Sequence, residues 1–118
     1  MKTAPKKTAV VICPGRGTYN RAELGTLARH HGARADMIAR FDRARDARGQ
    51  DTLSALDGAG SFSVSRHTRG DNASALIYAC TLFDFLAINR DEIEVVAVTG
   101  NSMGWYSTLA CAGALSAD

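Results

Sequence analysis

The sequence predicts an α/β fold, a parallel sheet with flanking helices, and three observations predict it. Two short β-branched apolar runs, 8–13 and 94–99, each stop at a glycine-containing turn. Helix-periodic segments lie between them. The last of those, 73–88, is apolar nearly all round, which is the mark of a helix buried at the centre of a fold. Strand, helices, strand, helix is the chain order of α/β proteins.

Each element follows from its residues. The run Ala9-Val10-Val11-Ile12-Cys13 reads as a first buried strand, ended by Pro14-Gly15. A loop then spans 14–20. Helical spacing of Leu24, Leu27 and Ala28 predicts a helix over 21–31, with Gly32 as its C-terminal cap. Met37, Ile38 and Phe41 predict a second helix over 34–48, ended by Gly49. Residues 52–56 suit one helical turn, and 58–70, rich in Gly and Ser, suits a loop. Asp71 or Asn72 can cap the central helix. Strand 94–99 is apolar on both faces, as in a parallel sheet covered by helices. A helix over 103–112 comes next, with Gly113 as cap.

Composition narrows the class. The 118 residues are 46% hydrophobic and 22% charged, ordinary for one small globular domain without a membrane span. The apolar stretch after the basic start is too short for a signal-peptide core. Cys13, Cys80 and Cys111 lack metal spacing and sit in apolar contexts, so they are expected to be reduced core residues of a cytoplasmic protein, with no metal site. Net charge is +2 but uneven: residues 1–70 carry +7 and residues 71–118 carry −5. Arg40, Arg43 and Arg45 alternate with Asp42 and Asp46, as on a solvated helix face, with docking of a phosphorylated cofactor or acidic carrier as a second reading. No interleaved aromatic pattern suggests nucleic-acid binding.

The chemistry concentrates at Gly100-Asn101-Ser102-Met103-Gly104. A buried strand feeding into Gly-x-Ser-x-Gly and then a helix is the arrangement of a nucleophile elbow. The turn exposes the serine above the sheet and aims the next helix's amides at a reacting carbonyl. Ser102 is therefore the candidate nucleophile. The loop Pro14-Gly15-Arg16-Gly17-Thr18 leaves the first strand at the same end of a parallel sheet, where sites gather. The amides of Arg16 and Met103 would then form a two-donor oxyanion hole. A phosphate loop is disfavoured, because neither Gly-x-Gly-x-x-Gly nor a Gly-Lys-Ser/Thr ending is present.

Taken together, Pro14-Gly15-Arg16-Gly17, the segment 72–86, Gly100-Asn101-Ser102-Met103-Gly104-Trp105-Tyr106-Ser107 and the tail Cys111-Ala112-Gly113-Ala114-Leu115-Ser116 resemble the N-terminal part of the malonyl-CoA:acyl carrier protein transacylases. The acyltransferase domains of fatty acid and polyketide synthases are similar. The resemblance implies that residues 1–118 are a partial acyltransferase core: oxyanion loop 14–18, central helix 73–88, strand, elbow and helix 94–113. It implies the N-terminal part of an α/β-hydrolase-like core, with the family's ferredoxin-like subdomain absent. It implies Ser102 as acyl acceptor and the amides of Arg16 and Met103 as oxyanion donors, framed by elbow glycines Gly100 and Gly104. The implied reaction moves a malonyl or related acyl group from coenzyme A, a substrate rather than a cofactor, through acyl-serine to acyl carrier protein.

The chain departs from the family beside the site. Arg16 stands where Gln is usual, Asn101 where His is usual, Trp105 where Glu is usual, and Ala73-Ser74 where Gln-Pro is usual. The family's catalytic histidine and malonyl-gripping arginine lie beyond residue 118. The resemblance thus implies a partner completing the fold, either further sequence or a second polypeptide, and little activity from the 118 residues alone. Two alternatives stay open: a serine esterase, or a non-catalytic relative that binds a partner.

Overall fold

The structure, a computed structural model, describes residues 5–113. The tail residues 114–118, including Ala114-Leu115-Ser116, lie outside the described residues. Two strands, β1 (Lys7–Cys13) and β2 (Ile93–Gly100), pair in parallel. Between them run α1 (Thr26–His30), α2 (Ala35–Ala47), α3 (Leu53–Asp57), α4 (Val64–His67) and α5 (Gly70–Leu86), and α6 (Gly104–Cys111) comes after β2. The protein is thus mixed α/β with a two-stranded parallel sheet. Among the described residues no helix is long and apolar enough to cross a membrane.

The core belongs to the helices. Leu53, Leu56, Leu76, Leu82 and Phe83 are buried together with Tyr19, Leu27 and Ile77, and Met37, Ile38 and Phe41 of α2 pack against them. α5 buries residues around its circumference, as its apolar composition predicts. Asp57 ties the layers together. Its Oδ1 accepts from Tyr19 Oη at 2.6 Å and Gly25 N at 3.2 Å, and its Oδ2 accepts from Leu27 N at 3.0 Å. One buried carboxylate thus satisfies amides at the start of α1, where the helix dipole also favours negative charge. Burial, reinforced by the hydrogen bond to Asp57, pushes the Tyr19 phenol above its ordinary pKa.

Several expectations need correction. The helix expected over 21–31 is a 3-10 turn, Arg21–Glu23, and then α1, because Gly25 takes φ +87°, a left-handed conformation that interrupts the helix. Gly32 does not cap α1; His31 does, and Gly32 opens a further 3-10 turn. The loop expected over 58–70 contains α4, nucleated by Ser63, whose Oγ accepts from Arg66 N. α5 begins at Gly70 with Arg69 as its cap residue, not Asp71 or Asn72. Asn72 is engaged sideways instead: its Oδ1 accepts from Arg45 Nη2 at 2.6 Å and its Nδ2 donates to Arg66 O at 2.9 Å.

Arg45 and Asp42, expected on a solvated face, are also structural. Asp42 accepts from the Ser54 amide and hydroxyl, and Arg45 reaches Asp51 O and Asp71 O. The ends of α2 and α3 fit their residues: Gln50 N donates to Arg45 O and Gly49 N to Asp46 O, a Schellman ending, and Thr52 Oγ1 accepts from Ala55 N.

The largest departure concerns the sheet. Burial is expected for both strands, yet Val10, Ile12 and Val96 are 57%, 70% and 56% exposed. α6 packs against both strands, while the face carrying Val10 and Ile12 is bare among the described residues. Val96 is an extra residue in the register, because Ala9 pairs with Val95 and Val10 with Ala97. The three cysteines are free thiols, but only Cys13 is fully buried.

Candidate active site

The two strands end side by side, Cys13 opposite Gly100, so the loops beyond them meet. Asn101 N donates to Cys13 O at 3.2 Å, which extends the ladder into the turn. Ser102 then takes φ +54°, the only described non-glycine residue with positive φ. A serine held in the left-handed region costs on the order of 1 kcal/mol or more, and such strain clusters at functional sites. Three hydrogen bonds in the next turn over-determine its position: Gly104 N donates to Asn101 O, Trp105 N to Ser102 O and Tyr106 N to Met103 O.

Both elbow glycines are required by close approach. A Cβ at Gly104 would lie 2.2 Å from the Cys13 carbonyl oxygen and 2.9 Å from that of Pro14. A Cβ at Gly100 would lie 2.5 Å from Gly104 O and from Thr108 Oγ1. α6 therefore starts directly against the end of β1, and Thr108 Oγ1, donating to Gly104 O at 2.9 Å, braces its first turn.

The loop after β1 closes on the elbow as expected. Gly15 is buried, and a Cβ there would stand 2.8 Å from Asn101 O and 3.5 Å from Ser102 Cβ. Arg16 is thus the next residue after a direct contact with the nucleophile candidate. Among the described residues, neither the Arg16 amide nor the Met103 amide donates a hydrogen bond. Ser102 and Asn101 are exposed, Met103 leans on the core, and Trp105 and Tyr106 are 54% and 68% exposed on the first turn of α6.

No family model, curated protein or solved structure matches this chain.

Two of the three histidines, His31 and His67, are engaged elsewhere. His67 is fully buried, stacked with Phe62 and Tyr19; its Nε2 lies 2.8 Å from Leu56 O and its Nδ1 3.0 Å from Ser63 N. Nε2 thus donates to the Leu56 carbonyl, while Nδ1 lies within reach of both the Ser63 amide and, at 3.1 Å, the Ser63 carbonyl. His31 Nε2 lies 2.7 Å from Asp84 Oδ1, and His30 is exposed at the end of α1. A cleft of about 310 Å³ lies between α1, α2 and α3, lined by Leu27, Ile38, Asp42 and Asp57 among others, and none of its lining residues belongs to the elbow. Its two carboxylates are already hydrogen-bonded, so it offers structure rather than chemistry.

Sequence reasoning missed two features here. Ser107 Oγ, one turn along α6 and fully buried, has no hydrogen-bond partner among the described residues. Burial, then the neighbouring Cys13, pushes the Cys111 thiol up to about 12. Neither had a local signal, since both depend on β1 and α6 coming together.

Proposed function

We propose that this chain is an acyl-transfer protein of α/β-hydrolase-like type. Ser102 is the acyl-accepting nucleophile and the amides of Arg16 and Met103 are the oxyanion donors. The observation that carries this reading is the strained Ser102 at the β2–α6 turn with Gly15 of the other strand's loop packed against it. Two unpartnered amides beside a serine on a sharp turn suit a tetrahedral oxyanion. The acyl donor is a coenzyme A thioester carrying malonyl or a related group, and the acceptor is the phosphopantetheine thiol of acyl carrier protein. Ser102 Oγ attacks the thioester carbonyl, losing its proton to a base, and coenzyme A leaves as the thiol. The carrier thiol then displaces the serine.

A serine needs a base at neutral pH. His31 and His67 are already engaged, so neither serves as the base in this proposal. The same observation favours a second reading: a non-catalytic relative that keeps the elbow and binds a partner. Labelled malonyl-CoA, incubated with the chain and holo-acyl carrier protein, separates the possibilities. Label on the carrier thiol that depends on Ser102 supports transfer. Release as free malonate indicates an esterase. A cellular effect that survives Ser102→Ala indicates the binding protein.

A further inference from the structure

We infer that the cleft between α1, α2 and α3 is a binding site for a small ammonium ion with an apolar body, an alkylamine or arylamine. The cleft shares no residue with the Ser102 elbow, so the inference stands apart from the acyl-transfer reading. It holds a ligand rather than transforming one. Its volume of about 310 Å³ is roughly ten times one water's ~30 Å³ share of the liquid, well beyond an ordinary packing gap. An apolar cavity of ~150 Å³ already holds benzene. Leu27 and Asp57, both buried, form the floor, and Ile38 and Ala39 of α2 supply an apolar wall. Ala28 and Ala35 at the rim are exposed, so a solute enters from solvent.

Charge selects the occupant. Asp42 and Asp57 line the cleft, and no Lys, Arg or His does. A gap left by imperfect packing has apolar walls, whereas here a carboxylate that is 3% exposed stands at the floor. Burying a carboxylate is costly unless hydrogen bonds and opposite charge offset it. Hydrogen bonds orient both groups: Asp57 is held by Tyr19, Gly25 and Leu27, and Asp42 by Ser54. A carboxylate has about four acceptor positions, so these bonds fix its direction without exhausting it. An ammonium brings three donors and the opposite charge that the lining lacks. An anion meets two like charges there, and a neutral apolar solute leaves them as they are. A bare metal ion fits less well, because the apolar wall supplies no ligand and no group of three metal-binding side chains occurs among the described residues.

Benzylamine, benzyl alcohol and benzoate share one ring and differ in charge. Each is titrated into the isotope-labelled chain, and amide chemical shifts report where and how tightly it binds. Benzylamine is expected to shift the amides of Leu27, Ala39 and Gly58 and to bind about tenfold tighter than benzyl alcohol, the scale of one charge-assisted hydrogen bond. Benzoate is expected to leave those amides unmoved. Asp42→Asn keeps an acceptor for the Ser54 amide, and with Asp57 still charged it is expected to lower the ratio to about threefold. Ala39→Leu fills the cleft and is expected to abolish binding of amine and alcohol alike. Unmoved cleft amides with benzylamine, or equal binding of amine and alcohol, overturns the inference. So does a ratio unchanged in Asp42→Asn, or binding that survives Ala39→Leu. Should Asp42→Asn fail to fold, the ratio in the unaltered chain and the loss in Ala39→Leu decide between the same outcomes.

Discussion

In the helical body, Leu53, Leu56, Leu76 and Phe83 are sealed from solvent, and both oxygens of Asp57 and both ring nitrogens of His67 are matched. In the sheet and its turns, Val10, Ile12 and Val96 stand more than half exposed, Ser102 is held at positive φ, and Ser107 is buried with its hydroxyl unmatched among the described residues. One region obeys the rules of stable packing, and the other breaks several of them around the strand ends and the elbow. Departures of this kind gather where geometry serves chemistry, and the well-packed region offsets their cost. Stability therefore belongs to the helices, and the proposed chemistry to the strand ends that they support.

That contrast breaks most visibly under core truncation. Phe83→Ala should cost about 4 kcal/mol in urea unfolding, because it empties the middle of the helical core. Ile12→Ser on the bare sheet face should change stability by less than about 0.5 kcal/mol. Comparable losses at the two sites would show that the sheet face is covered in solution.

Gly104→Ala is expected to cost about 2 kcal/mol, the scale of overpacking. The new methyl meets the Cys13 carbonyl, a backbone group that cannot swing aside, so α6 must move away from β1. Acylation of Ser102 should fall further than stability does, since the same shift parts the elbow from Gly15. Parallel losses in both would make the elbow a packing feature only.

The last effect is alkaline and is absent at neutral pH. Burial, then the charge of Asp57, pushes Cys80 from 9.0 up to about 12, and Cys111 rises similarly. A raised folded-state value means that the unfolded chain gives up these protons first. Stability is then whole below pH 9 and declines between pH 9 and 12. Tyr19 adds to the decline at the upper end. Urea midpoints across that range should fall, and Cys80→Ala should flatten the fall.

Much of this architecture is legible in the sequence where the cause is local. The β-branched runs locate β1 and β2, the all-round apolar stretch locates α5, and the glycines of Gly-Asn-Ser-Met-Gly mark the turn that the structure builds. What escapes is set at long range. The break at Gly25 is stabilised by Asp57, 32 residues away, and the early start of α5 goes with Arg45 holding Asn72 across 27 residues. The bare sheet face escapes for another reason: an apolar strand looks the same whether or not something covers it. At the site, Ser102, Gly100 and Gly104 are readable from spacing, whereas the reach of Arg16 to Gly70 is visible only in three dimensions.

The sharpest test of Ser102 as the nucleophile is intact-mass measurement of the chain with malonyl-CoA, with and without added imidazole. Imidazole supplies a base from solution. Little adduct is expected without it, and with it a single malonyl adduct that maps to Ser102 and is lost in Ser102→Ala. No adduct with imidazole present, or one that persists in Ser102→Ala, would contradict the assignment.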